Sequence, residues 1–396
     1  MGELPEPPAT VRPAVAAKGF RPFFLLASAF AVVAMTLWLH TLHGGASPSA
    51  YLDATSWHAH EMLFGYSGAV IAGFLLTAVG NWTQQETLVG KPLLALAALW
   101  VAGRAAMASH GLVPPPVVAA IDLAFLPALG VAIGRPLLAT GNRRNFVMLG
   151  VLGALWLANL TVHLDALGWM VGWRRRGTLL ALDIVAFLLV LMAGRLVPMF
   201  TRNATGVQSI RSAPALDRAA AGSMALVALI DLVAPGTGYA AVAAAVAFVP
   251  TVACMVPWGG WHARRVPLLW ILHLGYAWVP VALALRALGG LWPAMPAAVA
   301  THALTVGAIG GLTLGMITRV SLGHSGRPLV APRALSVAFA LVGLAALVRV
   351  VVPLVSLAYY QASLYASGAL FVVAFGAYFV AFYRALTTPR PDGKPG

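Results

Sequence analysis

Charge is scarce in this chain of 396 residues: Asp, Glu, Lys and Arg make up 9% of it, against about 25% in an ordinary soluble domain. Acidic groups are the scarcest, 11 against 25 Lys and Arg. With 60% of residues hydrophobic, this composition excludes a disordered chain, a collagen and a soluble globular fold. Cysteine is almost missing. The lone Cys254 excludes an internal disulfide, an iron–sulfur cluster held by thiolates and c-type haem attachment. Polar sequence is also too short for a sizeable soluble domain. The formal charge of +14 would suggest nucleic acid in a soluble protein. Here the basic residues fall mostly between apolar runs, where the positive-inside rule accounts for them and no nucleic-acid partner is implied.

What the chain has instead is apolar runs of the length that crosses ~30 Å of hydrocarbon, ~20 residues each. They fall at 20–42, 56–80, 91–109, 115–139, 145–167, 177–200, 215–234, 237–256, 266–288, 294–318, 334–353 and 360–384. Pro114-Pro115-Pro116 and Pro235-Gly236-Thr237-Gly238 mark the two tightest breaks. The expected fold is all-α: a polytopic transmembrane helical bundle of about 12 spans, surrounded by membrane lipid. A polar segment 1–18 precedes the helical domain 19–386, and a disordered tail 387–396 follows it. With the N-terminus inside, the inner segments carry 19 Lys and Arg and the outer ones 6. That asymmetry places both termini in the cytoplasm. No internal repeat is visible.

Histidine is the informative residue type, because an ionisable group inside a span is costly and marks function by default. His110, His163 and His262 fall at span ends or in a loop and read as interfacial, while His40 and His43 close the first span. The second span opens Trp57-His58-Ala59-His60-Glu61-Met62. Two imidazoles, a carboxylate and a thioether suit a metal or cofactor. A pair of hydrated interfacial imidazoles is the plainer reading. On a helix, His58 shares a face with Glu61, Met62 and small residues such as Gly65 and Gly73, whereas His60 points ~200° away. The two histidines then serve different centres, or both wrap one ion from a turn. Glu61 is positioned to relay protons. His273 and His302 lie well inside their spans and suit axial ligation, or a helix–helix hydrogen bond. Gly307, Gly311 and Gly315 form a packing ridge off the His302 face. Arg195 either pairs with a cofactor carboxylate or snorkels. Asp122 and Asp183 either conduct protons or pair with Arg.

Several of these stretches resemble the NnrS family. They are Gly19-Phe20-Arg21-Pro22-Phe23-Phe24, Trp57-His58-Ala59-His60-Glu61-Met62-Leu63-Phe64-Gly65 and Gly194-Arg195-Leu196-Val197-Pro198. Leu272-His273-Leu274-Gly275-Tyr276, His302-Ala303-Leu304-Thr305-Val306-Gly307 and Met316-Ile317-Thr318-Arg319 through His324 continue the pattern, and the likeness runs from about residue 19 to 384. The resemblance implies a multi-pass protein of the bacterial inner membrane that carries haem of b type and copper. It implies binding or reduction of nitric oxide and protection from nitrosative stress during denitrification, as a nitric oxide reductase-type oxidoreductase if turnover occurs. It carries over His58, His60, His273, His302 and His324 as metal ligands, Arg195 and Arg319 as cofactor-binding, and Glu61 as catalytic. It does not say which histidine holds which metal. No His-His or His-Pro pair occurs, so the stretch by which haem–copper oxidases hold copper is not present. A transporter, or a protein that handles metal or haem, is the competing expectation.

Overall fold

The computed structural model describes residues 13–292 and 294–393, and no strand occurs among them. Residues 1–12 of the polar N-terminal segment lie outside the described residues. The long helices are α1 (Phe20–Leu42), α2 (Ala54–Thr83), α3 (Gly90–Met107), α4 (Pro115–Ala139), α5 (Val147–Ala166) and α6 (Arg174–Thr205). They continue with α7 (Pro214–Val233), α8 (Gly238–Met255), α9 (Pro267–Gly289), α10 (Ala297–His324), α11 (Arg333–Val355) and α12 (Tyr360–Thr387). Ten of the helices are long and apolar enough to cross a membrane. The two that fall short of this, α3 and α7, hold charge: Lys91 and Arg104 in one, Asp217, Arg218 and Asp231 in the other.

Local signals set the helix ends. Pro115, Pro214 and Pro267 open their helices, where the missing N–H costs nothing. Asp53 caps α2 by accepting a hydrogen bond from the Ser56 amide at 3.0 Å. Gly206 closes α6 at φ 72°, a left-handed conformation that suits glycine. The predicted breaks at Pro114 and at Pro235–Gly238 both separate helices.

Two helices depart from α geometry at equivalent places. In α2 a π-helical segment runs from Glu61 to Ser67, directly after His60; in α10 another runs from Ala303 to Gly310, directly after His302. Both helices carry His-x4-Gly-x2-Gly-x4-Gly: His60, Gly65, Gly68, Gly73 and His302, Gly307, Gly310, Gly315. The glycines make matching contacts. A Cβ on Gly65 would meet Phe30 of α1, and one on Gly73 would meet Phe23 and Phe24. A Cβ on Gly307 would meet Trp278 of α9, and one on Gly315 would meet Ile271 and Leu272. Gly68 faces Phe125 of α4 as Gly310 faces Phe371 of α12. Helices α1, α2 and α4 therefore repeat in α9, α10 and α12. The sequence hides this repeat because only the glycines and one histidine of α2 recur in α10.

The first turn of α1 and the end of α12 are tied together. Arg21 donates to the carbonyls of Leu386 (3.2 Å) and Thr388 (2.8 Å), and Arg390 donates to the carbonyl of His324 (3.0 Å). The tail expected to be disordered is thus held as far as Arg390, and 394–396 lie outside the described residues.

Candidate functional site: an apolar cavity and a buried polar cluster

A cavity of about 320 Å³ opens between the starts of α2, α6, α10 and α12 and the ends of α1 and α11. Its size falls at the lower end of ordinary ligand pockets. Its walls are mainly apolar, including Met35, Met62, Leu182, Ile309 and Phe371. Two imidazoles and one guanidinium enter it, those of His58, His302 and Arg349, beside hydroxyls such as Ser67, Thr305 and Ser367. His58 lies flat on Trp38, with ring centres 4.6 Å apart and planes at 11°, and its Nδ1 is buried without a partner. His302 donates from Nδ1 to the carbonyl of Ala298 at 2.6 Å, which leaves Nε2 unprotonated in the neutral ring. Arg349 donates from Nη2 to Tyr360 Oη at 2.9 Å, while its Nε and Nη1 are buried and unpartnered.

This donor set fits a haem. A ligating imidazole commonly donates its other N–H to a backbone carbonyl, as His302 does. A buried guanidinium with two free donors calls for an anionic partner such as a propionate. Sequence reasoning missed Arg349, although an Arg inside an apolar run is a signal in its own right.

His60 faces the other way, into a buried cluster contributed by α2, α3, α4 and α5. Its Nδ1 donates to Glu61 Oε1 at 2.8 Å, and its Nε2 lies 2.9 Å from Asn159 Oδ1 and 3.3 Å from Asp122 Oδ2. Arg104 donates to Glu61 Oε1 at 2.7 Å and also to Asp122 Oδ1. His163 Nε2 lies 2.9 Å from Asp122 Oδ2, and its Nδ1 meets the hydroxyl of Tyr51 at 2.9 Å. Burial pushes the Tyr51 phenol up to about 12, so it keeps its proton at neutral pH. Asp122 pairs with Arg, one of its two expected roles. His163 is fully buried and so corrects the interfacial reading; its position near the end of α5 misled because neighbouring helices cover that end.

The expected face shared by His58, Glu61 and Met62 is corrected in part. Met62 lines the cavity with His58, but Glu61 turns to His60 and Arg104. The π-helical segment starts at Glu61, so α-helical spacing no longer predicts its direction. Gly65 and Gly73 meet α1 and do not line the cavity.

The other predicted residues lie apart from the cavity. His273 points its Nε2 at Thr201 Oγ1 (2.9 Å), beside Trp258. Arg319 stacks its guanidinium 3.9 Å from the centre of the Phe200 ring. It sits about 25 Å along α10 from His302 at 1.5 Å per residue. Arg195 donates to Asn145 Oδ1 at 3.1 Å. His324 lines a separate cavity of about 150 Å³ with Asn81, Trp82 and Phe200. Asp183 pairs with Arg286 at 2.8 Å, and Asp231 pairs with the same guanidinium.

In comparisons with known proteins, a family model described as NnrS protein matches residues 14–390. No curated protein matches the chain.

Proposed function

The chain belongs to the NnrS protein family, and from that premise we propose a haem- and copper-binding protein of the bacterial inner membrane that binds or reduces nitric oxide. It protects the cell from nitrosative stress. It crosses the bilayer twelve times, with both termini in the cytoplasm. The observation that carries this reading is the cavity: two imidazoles from different helices and one guanidinium with two unpartnered nitrogens, within mainly apolar walls. His58 or His302 would hold the haem, with the other imidazole beside it, and Arg349 would hold its carboxylate. A bound haem supplies an iron position at which nitric oxide coordinates. The chain's own part is to fix the imidazoles, through Trp38 and the Ala298 carbonyl, and to keep water scarce.

The test is spectral. Protein purified in detergent should keep a stable Soret band that shifts on adding nitric oxide. His58→Ala and His302→Ala should each lose or shift that band. His273→Ala, which removes the bond to Thr201 and the ring contact with Trp258, should leave it unchanged. A preparation that loses all haem on washing would favour a transporter instead.

A further inference from the structure

The His60 cluster lacks a cation. Glu61 and Asp122 carry two negative charges, and Arg104 supplies one positive charge. The remaining members, His60, His163, Asn159 and Tyr51, are neutral in their ordinary forms. All the charged groups are buried, where an unbalanced charge is costly. The hydrogen bonds point to where the cation belongs. His60 donates from Nδ1 to Glu61, so the lone pair of its Nε2 faces two acceptor oxygens, Asn159 Oδ1 and Asp122 Oδ2. Asn159 cannot turn to relieve this without losing its own donation to Asp122 Oδ2 at 2.7 Å. A neutral imidazole has no reason to hold that position unless something positive sits between.

We propose that His60 Nε2, His163 Nε2 and Asp122 Oδ2 ligate a buried divalent first-row transition metal ion, at a centre separate from the cavity of His58 and His302. One ligand atom from each of these residues lies within 4.8 Å of the others. Two imidazoles and one carboxylate form a donor set suited to iron(II), copper(II) or zinc. The supporting contacts are those that metal-ligating groups make: a carboxylate on His60 Nδ1, a hydroxyl on His163 Nδ1 and a guanidinium on the outer oxygen of Asp122. The internal repeat gives independent support. His60 stands where His302 stands in the second copy, each directly before a π-helical segment. The second copy keeps an open cavity beside its histidine, whereas the first fills that space with ligand-type side chains. The inference deepens the metal reading above and rests on it only for copper as the first ion to try.

The experiment uses the full chain in detergent. Wild type is loaded separately with Cu(II), Fe(II) and Zn(II), desalted, and assayed for metal and for haem per chain. One of these ions should remain at about one per chain beyond haem iron. His163→Ala and Asp122→Asn should lose it while keeping the Soret band. Glu61→Gln should weaken its binding roughly 10- to 100-fold, the usual effect of removing a carboxylate behind a ligating imidazole. X-ray absorption on loaded wild type should show two imidazoles and an oxygen donor, a readout that needs no variant to fold. No retained ion, or a shell without two imidazoles, overturns the proposal and leaves a proton as the missing cation. Loss of haem in wild type with this metal retained would instead sink the reading of the cavity.

Discussion

At the scale of single residues, Arg349 is what the proposed haem site has and a merely apolar hole would lack. A buried guanidinium with one partner out of its available donors destabilises the protein that holds it. On the proposed reading a haem propionate offsets that cost, since it matches both the free donors and the neighbouring imidazoles. Arg349→Leu is therefore expected to retain several-fold less haem while unfolding at the same temperature as the haem-free wild type, or higher. Arg349→Lys should retain an intermediate amount, since an ammonium keeps the charge but loses the fork. Equal haem in Arg349→Leu and wild type would show that the guanidinium answers to something else. His273 illustrates the opposite case. Its position deep in an apolar run suggested ligation, yet the hydroxyl of Thr201 already satisfies it. Residue type and depth alone cannot distinguish the two, because the distinction lies in whether a neighbouring helix brings a partner.

At the scale of elements, the glycines of α2 and α10 set how closely the helices approach. A methyl on Gly65 would lie 2.5 Å from Phe30 Cε1, and one on Gly307 would lie 2.4 Å from Trp278 Cγ. Both neighbours are rings wedged in helix interfaces, so Gly65→Ala and Gly307→Ala should each cost about 1–3 kcal/mol, as overpacking does. Gly153 of α5 has nothing within 4 Å of its would-be Cβ, and Gly153→Ala should be neutral or stabilising by up to ~1 kcal/mol. Thermal unfolding in one detergent compares the three; equal effects would show that the packing is looser than described. The helices were legible because hydropathy and proline mark them locally. Run 20–42 matches α1 to the residue. The two π-helical segments were not legible, since they depend on what packs beside α2 and α10. With them went the direction of Glu61 and the repeat itself, which becomes visible only when Gly65 is seen against Phe30 and Gly307 against Trp278. Of the site, His58 and His302 were found as candidates. Their meeting in one cavity was not, because 244 positions of sequence separate them and only tertiary packing closes that distance.

For the whole molecule, the cavity and the charge asymmetry define two ends of the bundle. The cavity gathers the starts of α2, α6, α10 and α12 with the ends of α1 and α11, so odd and even helices run in opposite directions there. The far end gathers the start of α1, the end of α10 and the end of α12, through Arg21 and Arg390. Among the described residues, chain segments at that far end hold 17 of the 23 Lys and Arg. Positive residues stay on the cytoplasmic side during insertion, so the proposed orientation puts the far end in the cytoplasm and the cavity toward the periplasm. Arg174 of the basic run Arg174-Arg175-Arg176 lies at the cavity end and is tied to Asp53 and Asp165 at 2.9 and 2.8 Å. Reporter fusions should therefore be cytoplasmic after residue 390 and within 203–213, and periplasmic within 44–55. The tie between Arg21 and Leu386 makes the first and last of these results interdependent. The start of α1 and the end of α12 share one end, so the number of crossings between them is even. A periplasmic reporter at the C-terminus together with a cytoplasmic one at residue 18 would break that tie, and with it the proposed arrangement of twelve spans.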